Sequence, residues 1–454
     1  MKKISLSSLD KDCYVETLDN GLEVYMIPLL DKKNYFISYA TRFGSDVLEF
    51  SNNKDKYKPP LGIAHFLEHK MFEQEDGIDP FTYFASSGTD SNASTSFDNT
   101  QYICYGTKNF KDNLRYLLKF VNSPYYTDEN VTKEKGIIAE EIKMYRDIPD
   151  FQLEMKLRES LYHKHPRRID IAGTVDEINK ITKEDLYACY NNFYIPNNMF
   201  VLIVGNFSKE EASRIIKEEL GNKEKHTLPV VKKVIEPISV KTKEVTIKSS
   251  VEIPKIALGL KVSSKEFKLS DLELDLYFNM LTTILFGASS IFREKTRQDK
   301  LLSSIYTEWE SINNFKTFYL MSSTINPDKL IIEIKKVLKE LPIDNESFER
   351  IKKVWIANEV KIYDNVDLVV NNSYDDILKY EEIVPNRIDI IKKMKFKKLV
   401  DLVEKMDFNN ISIVKMVNNK RLIAIKKYWR LMPERLIKVC KTWKWKHYFK
   451  RWIK

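Results

Sequence analysis

The sequence predicts an α+β protein of two similar domains, each a mostly antiparallel sheet packed with helices. Three observations lead there. The chain has 454 residues, more than one hydrophobic core usually serves. Short apolar strand-like runs alternate with amphipathic helical stretches along its whole length. The order of element types also recurs on either side of a lysine-rich stretch, residues 221–250, that contains two prolines. No residue-level repeat accompanies this recurrence.

The elements follow in order. "LEVYMIPL" and "NYFISYAT", within residues 22–42, read as paired strands. "GIAHFLEHKMF" reads as a helix, and "YFASSGTDSNASTSFDNTQYICYG" as a turn leading into a strand. From Thr127 to about His163 the pattern is helical, starting from a cap in "YTDEN". "NNMFVLIVGNF" (197–207) has the continuous apolar run of a buried strand. This gives a first domain over 1–220, a linker over 221–245 and a second domain over 246–418. In the second, "KIALGLKV" and "KTFYLMSST" read as strands, with helices from Leu269 and from Pro327.

Charge is unevenly distributed. Residues 420–454 hold thirteen Lys or Arg against one acid, Glu434, a net of +12. The whole chain carries +9, which leaves −3 for the rest. A nucleic-acid footprint on the body is therefore not expected. The tail, 419–454, interleaves four of the six Trp with basic residues, a pattern suited to weak contact with an anionic membrane or an acidic partner. A solvated extension, or a segment docked on the body, is the competing reading. The N-terminal lysines precede no apolar run, and no stretch approaches the roughly 20 apolar residues of a membrane span. Four scattered cysteines form no C-x-x-C, which fits a reducing cytoplasm.

The chemistry concentrates in "PLGIAHFLEHKMFEQ" (60–74), which holds two of only six histidines. On a helix His65 and His69 are one turn apart and share a face with Glu68. Two neutral imidazoles at that spacing can hold one zinc ion, and a carboxylate between them can take a proton from a water on the metal. This is the inverted H-x-x-E-H arrangement. Two solvated histidines beside an ordinary glutamate are the bland alternative. A catalytic zinc commonly has three protein ligands. "TKEKGIIAEEIKMYRD" (132–147) offers the third, as an amphipathic helix with an apolar stripe of Ile137, Ile138, Ile142 and Tyr145. Glu134 and Glu141 fall near the middle of that stripe, whereas Glu140 falls more than about 100° away. A carboxylate on an apolar face is costly unless neutralised. Glu141 is thus the expected ligand, with Glu134 supporting the site from behind.

These residues resemble the pitrilysin/insulinase family of zinc metallopeptidases. "HFLEH" is followed about seventy residues later by two glutamates seven apart. "GTDSNASTSFDNTQY" (88–102) is similar to the family's strand beside the metal, and "GTVDEINKITKEDLYACYNNFYIPNNMFVLIVGNF" (173–207) to the stretch closing its first domain. The resemblance implies Zn2+ held by His65, His69 and Glu141, with Glu68 as general base and Glu134 behind the ligands. It places peptide substrate along the strand edge at Asn92 and Ala93, a mode that adds the peptide to the sheet. It further implies the short two-domain bacterial type, in which one chain is half of a clamshell. The partner would be a second copy or a related, zinc-less chain. In the family a second-domain Arg and Tyr reach the substrate, and Arg297 and Tyr306 in "SSIFREKTRQDKLLSSIY" (289–306) are the candidates. That stretch lacks the family's glycine and its Arg-to-Tyr spacing, so a surface helix competes. The expected function is a zinc metalloendopeptidase cutting short peptides or unfolded segments in a closed chamber. The rival is a silent or weakly active peptide-binding or assembly subunit of the same fold.

Overall fold

The computed structural model describes residues 1–7, 11–52, 55–312 and 314–419. The basic tail, apart from its first residue, lies outside them. In chain order the first half runs β1 (Lys2–Ser7), β2 (Lys11–Thr17), β3 (Glu23–Pro28), β4 (Tyr35–Thr41), the short β5 (Phe50–Asn52) and β6 (Asp55–Tyr57), α1 (Ile63–Met71), α2 (Pro80–Ser86), β7 (Asp90–Thr95) and β8 (Thr100–Gly106). Then come α3 (Phe110–Val121), α4 (Asp128–Arg146), α5 (Pro149–Leu161), α6 (Val175–Ile178), α7 (Lys183–Phe193), β9 (Met199–Gly205) and α8 (Lys209–Leu220). The second half runs β10 (Val230–Val231), β11 (Glu244–Ser249), β12 (Lys255–Ser263), α9 (Asp271–Phe286), α10 (Ile291–Gln298), β13 (Ser304–Ile312) and β14 (Phe315–Ser323). It ends with α11 (Pro327–Glu340), α12 (Asn345–Ile362), α13 (Val366–Tyr380), α14 (Arg387–Lys393), α15 (Phe396–Val403) and β15 (Ile411–Asn418).

The first sheet has the order β1-β2-β3-β9-β4-β8-β7 and is antiparallel except where β3 meets β9. The two early strands are therefore not paired with each other. β9 is buried at every residue and can be so only in the middle of a sheet covered on both faces. It inserts between them, with Tyr25 opposite Leu202 and Tyr39 opposite Val201. Residues 80–106, read as a turn and one strand, form a helix and a hairpin, because Asp79 caps α2 through the N–H groups of Phe81 and Thr82. The helical stretch from Thr127 is two helices, broken where Pro149 starts a new first turn.

The second sheet has the order β11-β15-β12-β14-β13, with only β11 and β15 parallel. Strand for strand this repeats β3-β9-β4-β8-β7. The two halves thus share one topology, and β7 and β13 are matching edge strands.

Each sheet has one face on its own helices. In the first, α1, α3, α4, α7 and α8 bury Phe66, Leu117, Ile138, Cys189 and Ile215. In the second, α9, α11 and α12 bury Phe278, Ile334 and Phe348. The other faces are exchanged. Leu153, Leu157 and Leu161 of α5 pack on Ala257, Tyr319 and Val414 of the second sheet. Val366, Val370 and Ile377 of α13 pack on Tyr25, Phe200 and Leu202 of the first.

The stretch 221–245 is pinned rather than loose. β10 pairs with β5, and the Glu236 carboxylate accepts the N–H groups of His163, Lys164 and His165 at 2.7–2.8 Å. It also meets the buried Lys261 Nζ at 3.0 Å. One described stretch, Asp271–Gln298, has the length and mean hydropathy of a membrane span by composition alone, but it is divided into α9 and α10. Its Leu274, Phe278, Leu281 and Leu285 are instead buried in the second core.

Candidate metal centre

α1 starts where two backbones touch. Gly62 has φ +87°, and a Cβ there would lie 2.4 Å from the Ala172 carbonyl oxygen; a Cβ on Gly173 would lie 2.7 Å from that of Leu61. Only glycine fits both positions, and the contact fixes the direction in which α1 leaves. Ile63, Ala64, Phe66, Leu67 and Met71 face the core. That leaves His65, Glu68 and His69 together on the side toward α4.

α4 is set by a capping box, Thr127 with Asn130. Its buried face is Val131, Glu134, Ile138 and Ile142. The stripe read from the sequence is therefore rotated: Ile137 and Tyr145 are 49% and 41% exposed. Helix periodicity located the apolar residues, but the neighbours, α1 foremost, decide which edge of the stripe is covered. Glu134 stays in the buried face and Glu141 sits at its margin, while Glu140 is solvent-exposed and paired with Lys143 at 2.6 Å.

The three expected ligands converge. His65 Nε2 lies 3.7 Å from Glu141 Oε1, and His69 Nε2 lies 3.4 Å from Glu141 Oε2. The candidate ligand atoms of all three lie within 4.8 Å of one another. Two ligands about 2.0–2.1 Å from a tetrahedral zinc are themselves about 3.3 Å apart, so the cluster has nearly the required spacing. His69 Nδ1 is 3.0 Å from Glu134 Oε1, the carboxylate–histidine pairing that directs the other ring nitrogen toward a metal. Glu141 Oε2 is buried without a hydrogen-bond partner, as is His65 Nδ1. A cation would satisfy the orphaned Glu141 oxygen between the two imidazoles, so the donor set fits zinc. This is the one such group among the described residues.

Burial, and then the neighbouring His69, push His65 down to about 4, so it is neutral at pH 7 as a ligand must be. Burial lowers His69 too, but the hydrogen bond to Glu134 and the nearby Glu141 carboxylate outweigh it and lift the ring to about 9. Without metal that ring carries a proton that a zinc ion would replace. The His69 ring beside it holds Glu141 below the ordinary carboxylate range. Burial raises Glu68 above it, against a hydrogen bond from Thr95 Oγ1 at 2.5 Å.

Asn92 and Ala93 lie on the edge strand β7, beside α1. The Ala93 N–H donates to Asn92 Oδ1 at 2.9 Å. Arg297 and Tyr306 lie in the second half. Arg297 is on the exposed helix α10 and pairs with Glu294 at 2.6 Å. Tyr306 is on β13 rather than a helix, half exposed, and donates to Glu308 at 2.6 Å. Both side chains therefore spend their polar groups on local carboxylates. Thr95 was missed. Its signal was present in the alternation of β7, which puts it on the same face as Ala93.

A model of the insulinase family (peptidase family M16) matches residues 53–175, and one of the M16 peptidase inactive domain matches residues 180–354. A Bacillus subtilis (strain 168) protein named as an uncharacterized zinc protease, YmfH, is 37% identical over 380 residues, 82% of this chain and 88% of its own length. The chain belongs to the M16 peptidase family. The structure of an M16-like peptidase from Alicyclobacillus acidocaldarius matches with a TM-score of 0.84 at 31% identity, over 91% of this chain and 99% of that one. The Escherichia coli periplasmic protease PqqL matches with a TM-score of 0.72 at 20% identity, over 91% of this chain and 48% of its own. This chain is thus an M16 metallopeptidase of the short, two-domain type, corresponding in fold to about half of that longer chain.

Proposed function

We propose that the chain is a zinc metalloendopeptidase that cuts short peptides or unfolded segments, and that it does so as one half of a closed chamber. The observation that carries this is the convergence of His65, His69 and Glu141, with Glu68 beside them. His65, His69 and Glu141 would hold the metal, and Glu134 would keep the His69 ring oriented. When bound, a zinc ion would supply Lewis acidity toward the scissile carbonyl and make water acidic enough for a carboxylate to deprotonate. Glu68 takes a proton from the attacking water and delivers it to the departing amine nitrogen. Burial keeps the Glu68 carboxyl more basic than a solvated one, which suits both transfers. The edge of β7 at Asn92 and Ala93 binds peptide backbone as an added strand, with Asn92 exchanging its bond to the Ala93 N–H for the peptide. Arg297 and Tyr306 would reach substrate from side chains that now pair with Glu294 and Glu308.

A dimer, with a copy or a related chain, completes the chamber; the match to half of PqqL supports this. A cytoplasmic site of action fits the buried, unpaired thiols of Cys13, Cys104 and Cys189. The silent-subunit rival draws on the inactive-domain match over 180–354, but the metal-capable cluster lies outside that range. Metal analysis with a panel of quenched peptides separates the two. One zinc per chain and zinc-dependent turnover support the enzyme. No turnover on any peptide, with affinity unchanged by metal, supports the subunit.

A further inference from the structure

The loop that closes the β7–β8 hairpin, Ser96–Asn99, begins directly after Thr95, whose hydroxyl holds Glu68. It is gripped from outside the hairpin. The N–H groups of Ser45 and Asp46 donate to the Ser96 and Phe97 carbonyls at 3.1 and 2.7 Å. A Cβ on Gly44 would lie 2.6 Å from the Phe97 backbone, so these segments touch main chain to main chain. The Phe97 ring faces two guanidinium groups, Arg158 at 4.7 Å and Arg167 at 5.3 Å. Arg167, 9% exposed, binds three carboxylates from three places: Asp98 in the loop at 3.0 Å, Asp46 at 2.9 Å, and Glu310 on β13 at 2.7 Å. Glu310 also accepts from Arg158 at 3.1 Å and from the Tyr319 hydroxyl at 2.8 Å. Tyr374, on the exchanged helix α13, donates to Asn99 Oδ1 at 2.8 Å.

A buried ionic cluster of this kind adds little net stability over an apolar one, and its best-attested use is to fix one geometry. The rigid five-donor fork of arginine suits that role, since it sets the angles between its partners. What it fixes here is the hairpin tip, one residue beyond the contact to Glu68. We propose that Arg167 and Glu310 are positioning residues for peptide hydrolysis: through the hairpin tip they set Thr95, and through Thr95 the orientation of the Glu68 carboxylate. The second sheet would thereby tune the reaction without touching substrate. This rests on Glu68 being the base.

The test uses the full chain loaded with zinc. Thr95→Val should lower kcat about tenfold or more, the scale expected when a reacting group is slightly misplaced. KM should stay within about twofold, because the β7–β8 ladder over Asp90–Thr95 still holds the substrate edge. Zinc content should not change, and Thr95→Ser should restore most of the rate. Glu310→Gln should lower kcat several-fold at unchanged KM and speed amide exchange of residues 95–99 in the metal-free protein. If both act along one path, the double variant should be no slower than the slower single one. Multiplying losses overturn the proposal, as does an unchanged kcat in folded, zinc-loaded Glu310→Gln. If Glu310→Gln fails to fold, Asp98→Asn, 54% exposed, takes one partner from Arg167 and answers the same question by the same criteria. A wild-type protein with no turnover refutes the peptidase reading instead. The exchange measurement then decides the positioning claim, and unchanged protection over 95–99 overturns it.

Discussion

The notch between the edge strand and the first helix is built differently in the two halves. In the first, β7 meets α1 through small or polar side chains, Ala93 and Thr95, and Thr95 donates to Glu68 while His65 and His69 stay partly exposed. In the second, β13 meets α9 through Trp309, which stacks on Phe278 at 4.4 Å and donates to Thr282 at 2.7 Å. One notch is lined with ionisable groups, the other filled with aromatic rings. The strand topology is the same, so the sheet does not make the site. What makes it is the choice of small residues on the strand and of ionisable ones on the helix, bought with unsatisfied polar groups.

The comparison breaks most completely if metal does not follow the first notch. Alanine at His65 or Glu141 should reduce zinc from one per chain to near none and abolish turnover, read by metal analysis. Glu140→Ala should keep both, since Glu140 faces solvent; equal losses at 140 and 141 would contradict the assigned ligand. Next in size, Glu68→Gln should retain zinc and peptide affinity while turnover falls by about 10²–10⁴. A smaller drop would leave the first notch without its base.

The filled notch predicts the opposite pattern. Phe278 is fully buried, so Phe278→Ala should cost about 3–5 kcal/mol of stability. Zinc per folded chain should stay unchanged, measured by denaturant titration beside metal analysis. The smallest effect concerns the cluster between the halves. Burial, opposed by Arg167, raises the Asp46 carboxyl from 3.8 to about 6. In the folded chain this group holds its proton longer than in the unfolded one. Its contribution is complete below about pH 3.8 and is lost as pH rises through about 6, bounded at about 3 kcal/mol. Asp46→Asn should therefore lose less stability than wild type between pH 4 and pH 6.5. Parallel curves would mean the cluster neutralises Asp46 fully.

Local chemistry was legible and remote packing was not. The i, i+4 histidines with Glu68 could be read because one helix turn brings them together whatever else the chain does. That Glu141 rather than Glu140 comes beside the histidines followed from helix phase, even though the assumed stripe, with Ile137 and Tyr145, was turned toward solvent. The insertion of β9 between β3 and β4 left no local mark, because a fully apolar strand looks the same beside any neighbour. The exchange of α5 and α13 was invisible for a related reason: an amphipathic helix announces a buried face but not which sheet will bury it. Arg167, in "HPRRID", carries no periodic signal at all.

That exchange has a consequence during synthesis. The first sheet has its last strand at Gly205, yet the face holding Tyr25, Phe200 and Leu202 is not covered until α13 and Ile383 have been made. At roughly 5–20 residues per second, the ribosome takes on the order of 10–35 seconds over that interval. Throughout it a nascent chain with His65, His69 and Glu141 already translated displays a bare apolar sheet. The newborn chain is thus most exposed to aggregation and to chaperone capture when its first half is already complete in sequence.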